Sequence, residues 1–111
     1  MKEAINQSKK VNELIRQSEE YNRYITAKRA LYSDEELSRQ LREFKMRNRD
    51  LQNIHGYDAY DAINSLVKEN DNLLNNTIVN DYLRAEQKIC RLMQQVYISV
   101  SDGLELEYLD E

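Results

Sequence analysis

An all-α fold, an antiparallel helical bundle with long first and last helices, follows from three observations on the 111-residue sequence. The chain has no proline and only two glycines, Gly56 and Gly103, so it lacks the punctuation that strands and tight turns require. Charged residues make up 32% and hydrophobic residues 41%, the balance of helices with one apolar face. Apolar positions recur at alternating gaps of three and four over most of the length. A chain of this size fits one domain, residues 1–111, with an acidic tail from about 104 to 111.

Val11, Leu14, Ser18, Tyr21, Ile25, Lys28 and Tyr32 form the first stripe. It crosses Ser18 without losing phase, although Ser18-Glu19-Glu20 would also suit a helix start. Residues 3–32 are therefore either one helix of roughly 45 Å or two nearly collinear ones, and the continuous phase favours one, with any kink at Ser18. Ser33-Asp34-Glu35-Glu36 has the spacing of a capping box and opens a second helix over about 34–55. Its stripe is Leu37, Leu41, Phe44, Asn48, Leu51 and His55, and Gly56 is placed to end it. After an HGYD turn, Ile63, Leu66, Val67, Asn70 and Leu74 mark a shorter helix that gives out in NDNLLNNT. Asn76 is the expected cap of the last helix. That helix carries two adjacent stripes, Ile78-Tyr82-Ala85-Ile89-Leu92-Val96 and Val79-Leu83-Glu86-Cys90-Met93-Tyr97-Val100, so it should be central. Gly103 ends it, and LELEYLDE is left open between an edge strand, a further turn and an irregular end.

Several function classes fit poorly. No apolar run approaches the roughly 20 residues of a membrane span, and MKEAINQSKKVNEL has no signal-peptide core, so no membrane role and a cytoplasmic location are expected. Cys90 is the one cysteine and His55 the one histidine, which leaves no ligand set at metal spacing; no metal, cofactor or catalytic residue is assigned. Cys90 on an apolar stripe reads as a small buried hydrophobe, and His55 as structural. Tyr21, Tyr24, Tyr82 and Tyr97 occupy core positions, whereas Tyr57 and Tyr60 are free for a partner surface. The net charge of −4 opposes a dedicated nucleic-acid binder. Even so, Ser38, Arg42, Lys45, Arg49 and Gln52 give the second helix one basic flank, against a mostly acidic row of Glu36, Gln40, Glu43, Arg47 and Asp50. This is either a solvated face or a docking edge for a helix or for RNA phosphates. Asn48 is either a register-setting polar residue or an ordinary satisfied one.

The chain also repeats itself. YNRYITAKRAL (21–31) and VNDYLRAEQKI (79–89) align Asn22 with Asn80, Tyr24 with Tyr82 and Ala27 with Ala85, and reverse one charge, Lys28 against Glu86. The echo reads as a packing motif in which the first and last helices meet with Lys28 and Glu86 paired.

Ser18–Leu31 (S-E-E-Y-x-x-Y-x-x-A-K-x-A-L), Leu73–Glu86 (L-L-N-N-x-x-V-x-x-Y-L-x-A-E) and the closing G-L-E-L-E resemble the YlbF/YmcA family of small helical bacterial proteins over nearly the whole chain. QNIHGYDAYDAINSL is its least family-like part, and Thr77 stands where members often have proline. The resemblance implies a non-enzymatic regulatory protein of Gram-positive-type bacteria. The best-known relatives are subunits of a cytoplasmic complex associated with ribonuclease Y, which affects RNA processing, competence, sporulation and biofilm formation. That complex can carry iron–sulfur clusters; one cysteine on an apolar face supplies no such site, and no ligand residue is carried over. The expected partners are proteins, other YlbF/YmcA-like subunits and ribonuclease Y, together with self-association into a homo-oligomer. The reading from another class is RNA or DNA binding through Arg42, Lys45 and Arg49.

Overall fold

The computed structural model describes residues 1–53 and 57–105, and of residues 57–59 the backbone alone. The described residues form six helices and no strand: α1 (Lys2–Gln17), α2 (Glu19–Tyr32), α3 (Glu35–Gln52), α4 (Tyr57–Glu69), α5 (Asp71–Leu74) and α6 (Thr77–Ser101). The fold is all-α. His55, Gly56 and the acidic residues 106–111 lie outside the described residues, and so do the expectations placed on them.

Local capping chemistry sets the boundaries. Ser18 leaves helical geometry (φ −69°, ψ 151°), its Oγ accepts from the Tyr21 N–H, and its own N–H donates to Ile15 O. The first stretch is therefore two helices. A hydroxyl that satisfies free N–H groups, with Glu19 and Glu20 complementing the positive end of the dipole, outweighs the unbroken phase of the apolar stripe. Asp34, not Ser33, caps α3, accepting from the Leu37 N–H at 3.0 Å. Ser33 instead closes α2 and donates its hydroxyl to Ala30 O. The expected turn before the shorter helix is also displaced, since Tyr57 already belongs to α4. Asn76 caps α6 as expected, its Oδ1 taking the Ile78 and Val79 N–H groups at 2.9 and 3.2 Å. Gly103, at φ 82°, takes the left-handed conformation just past α6.

α6 is the central element and packs chiefly on α2. Tyr24 of α2 meets Tyr82, Leu31 clusters with Val79, and Glu19 and Glu20 lie with Lys88 around one hollow. Rising numbers in α2 meet falling numbers in α6, so the pair is antiparallel. α3 and α4 form a second antiparallel pair, with Leu51 near Ala62 and Phe44 near Asn70.

The core lies toward one end. Leu31, Leu41, Leu73, Val79 and Tyr82 cluster at the close of α2, the first half of α3, α5 and the start of α6, with Tyr24, Ala27, Leu37, Phe44, Ile78 and Leu83 packed against them. Ile89 is the last buried residue of α6, and α1 buries none. The molecule is correspondingly thin, 50 × 37 × 17 Å, and its radius of gyration of 17.8 Å exceeds the ~13 Å of a compact chain of this length.

Candidate functional site

The repeated phrase comes together in space. Tyr24 and Tyr82 approach to 5.8 Å between ring centroids at an interplanar angle of 37°, one of the tilted arrangements that the aromatic quadrupole favours. Ala27 and Ala85 face each other across the α2/α6 seam, where both line one groove. The charge reversal is not a pair, which corrects the expectation. Glu86 accepts from Lys45 of α3, with Nζ at 2.6 and 2.8 Å from its two carboxylate oxygens, and from the Tyr82 hydroxyl at 2.9 Å. Lys28 instead lies near two rings, its Nζ 5.5 Å from the Tyr32 centroid and 5.9 Å from that of Tyr24. The reason is positional: the Lys45 side chain reaches from α3 to Glu86 and Tyr82, while Lys28 lies against the Tyr24 and Tyr32 rings.

Lys45 Nζ also stands 5.1 Å from the Tyr82 centroid, so one ammonium serves a carboxylate and a ring. Burial pushes the Tyr82 hydroxyl well above its ordinary 10.0, and the neighbouring Tyr24 hydroxyl and Glu86 carboxylate push it further. Tyr82 stays a neutral donor. The cluster ties α2, α3 and α6 in one register, and its side chains satisfy one another.

This arrangement divides the proposed basic flank. Lys45 is half-buried and committed to Glu86, while Arg42 and Arg49 remain exposed. On the same helix Arg39 bridges Glu36 and Glu43, and its hydrogen bonds, with one from Gln40, hold the Glu36 carboxyl below the usual carboxylate range. Asn48 is half-buried. Tyr60 is 71% exposed on α4; the Tyr57 side chain lies outside the described residues.

Two assignments to the core are overturned. Cys90 is exposed and Tyr97 is 50% exposed. Both sit in the second stripe of α6 beyond the start of α2, where no α2 residue lies opposite.

One concavity was not foreseen. A groove of about 590 Å³ runs between α2 and α6, with Thr26, Ala27, Ala30 and Ala85 lining its middle and Arg23, Arg84, Lys88, Glu19 and Asp81 supplying charges of both signs. The small residues at 26, 27, 30 and 85 were the available signal, since they let another backbone approach closely.

No group of three or more His, Cys, Asp and Glu side chains placed to hold a metal occurs among the described residues, and none of their helices is long and apolar enough to cross a membrane. A family model described as control of competence regulator ComK, YlbF/YmcA, matches residues 4–105. No curated protein and no solved structure matches the chain.

Proposed function

From membership of the YlbF/YmcA family of competence regulators, to which this chain belongs, we propose that it is a non-enzymatic cytoplasmic adaptor. It acts by binding other proteins, namely family subunits and, through them or directly, ribonuclease Y, and so influences RNA processing, competence, sporulation and biofilm formation. Self-association is part of this reading.

The observation that carries it is the open α2/α6 groove. A middle of alanine and threonine admits a helix backbone at short interaxial distance. Edges with Arg23, Arg84 and Lys88 beside Glu19 and Asp81 offer partners to both charges of an amphipathic helix. Nucleic-acid binding through α3 is the weaker reading, because Lys45 of the basic row is held by Glu86.

Affinity purification at native expression level tests the proposal. Ribonuclease Y or other family members are expected to co-purify with the wild type and to be lost with Ala30→Glu, which charges the groove at an exposed position. Recovery of neither from the wild type overturns it. Binding of RNA by the purified chain that weakens steeply with salt and with Arg42→Glu would establish the other reading instead.

A further inference from the structure

One face of α6 gathers positive charge in a chain that is acidic overall. The sequence holds 20 Asp and Glu against 16 Lys and Arg, yet from Tyr82 to Ser101 Glu86 is the one carboxylate, and Lys45 takes both of its oxygens. Arg84, Lys88 and Arg91 recur at gaps of four and three, so they form one row that advances about 10 Å along the helix. All three are exposed.

The row is not neutralised from within. Elsewhere on the surface Arg23 bridges Glu19, and Arg39 bridges Glu36 and Glu43, each one turn away. One turn from Lys88 stand Arg84 and Arg91, and one turn from Arg91 stand Lys88 and the glutamines Gln87, Gln94 and Gln95. Asp81 is one turn from Arg84, yet among the described residues no ion pair joins any of the three cations to a carboxylate. Like charges at these spacings repel and destabilise the helix that carries them. A carboxylate brought from outside removes that cost.

This row borders the α2/α6 groove. Arg84 and Lys88 line it, and Arg91 continues the row past it. Of the other charges there, Arg23 and Glu19 satisfy each other, which leaves two cations and Asp81 to face an incoming chain. The middle of the groove is Thr26, Ala27, Ala30 and Ala85, short side chains that admit a helix backbone, and no aromatic ring lines it on which a base could stack. Such a middle beside such an edge fits a helix with carboxylates along one side better than a nucleic-acid strand.

We propose that the groove receives an acidic amphipathic helix of a partner protein, with carboxylates on three successive turns set against Arg84, Lys88 and Arg91. A cation one turn beyond the three meets Asp81, so the charge order fixes the direction in which the helix lies. Its small or apolar side chains meet Ala27, Ala30 and Ala85. The charged contacts are at the rim and screened by solvent, so they select the partner and its orientation more than they add affinity. This names the chemistry of the partner helix in the adaptor reading and rests on that use of the groove.

The test titrates the isotope-labelled full chain with an alanine-rich helical peptide that carries Glu on three successive turns and Lys on the next. The same peptide with every charge inverted is the comparison, and backbone amides are followed by NMR. The Glu peptide is expected to shift amides of residues 22–30 and 81–91 saturably, and to bind more weakly as salt rises. Arg84→Glu with Lys88→Glu is expected to weaken it about tenfold, whereas Lys68→Glu, on α4, binds as the wild type does. All three positions are exposed, so the core is left intact. The inverted peptide is expected to leave these amides unmoved. No shift with the Glu peptide, equal shifts with both peptides, or full affinity in the double variant overturns the proposal. An oligouridylate that shifts the same amides where the Glu peptide does not overturns it in favour of nucleic acid. Any of these failures leaves the co-purification result standing. Peptide binding by a chain that brings down neither ribonuclease Y nor a family member would count against the adaptor reading alone.

Discussion

Glu86 takes one ammonium on both its oxygens and one phenol on a single oxygen, tying α3 to α6, and that phenol, Tyr82, meets Tyr24 of α2. With the Lys45 and Glu86 side chains 35 and 30% exposed, solvent screens the pair, and its net worth is about 1 kcal/mol or less. A double-mutant cycle on Lys45→Ala and Glu86→Ala, read from urea unfolding, should give a coupling of about 0.5–1 kcal/mol. The cycle on Lys28→Ala and Glu86→Ala should be additive within about 0.5 kcal/mol, because Lys28 lies against Tyr24 and Tyr32. Tyr82 adds a pH dependence. Its hydroxyl pKa is raised by burial and by its neighbours, so folding favours the neutral form. That contribution is fully present below about pH 10, where an unfolded tyrosine begins to ionise, and is lost as pH rises toward the higher folded value. Urea midpoints at neutral and alkaline pH should therefore fall further for the wild type than for Tyr82→Phe; equal falls would refute the assignment. None of these partners was legible in the sequence beyond Tyr24 with Tyr82, because a repeat places residues along helices and leaves open which third helix covers them.

Three helices, α2, α3 and α6, begin where a side chain can take up free N–H groups. Ser18, Asp34 and Asn76 each have extended backbone and a side-chain oxygen accepting from the first turn. Asn76→Ala should cost about 1–2 kcal/mol, read from the urea midpoint, because it strands two donors at the head of the helix that brings Val79 and Tyr82 to the core. Asn76→Asp should retain most of the stability, since a carboxylate accepts the same bonds. Such caps are short-range signals, and Asn76 was readable from sequence for that reason. Ser33 and Asp34 are adjacent cap-forming residues, and their order was settled only when Ser33 was needed to close α2. At Ser18 two local signals competed: the apolar stripe continues through it in phase, yet its hydroxyl and extended backbone divide α1 from α2.

As a whole the protein is a thin plate whose core sits at the start of α6 and whose other end is carried by α1 and the close of α6. This asymmetry keeps the α2/α6 groove, proposed above to receive a partner helix, apart from the exposed end of α6. The sequence by itself determined the all-α class, the central place of α6, its cap at Asn76 and its end near Gly103, because periodicity and capping are written in residues within a turn of one another. Only the tertiary structure decided that Glu86 pairs with Lys45, that Cys90 and Tyr97 face outward, and that alanines at 27, 30 and 85 line a groove. Those outcomes depend on where α2 starts relative to α6 and on which face α3 covers. Helical periodicity marks the apolar face of each helix but holds no term for how far along it a neighbour reaches.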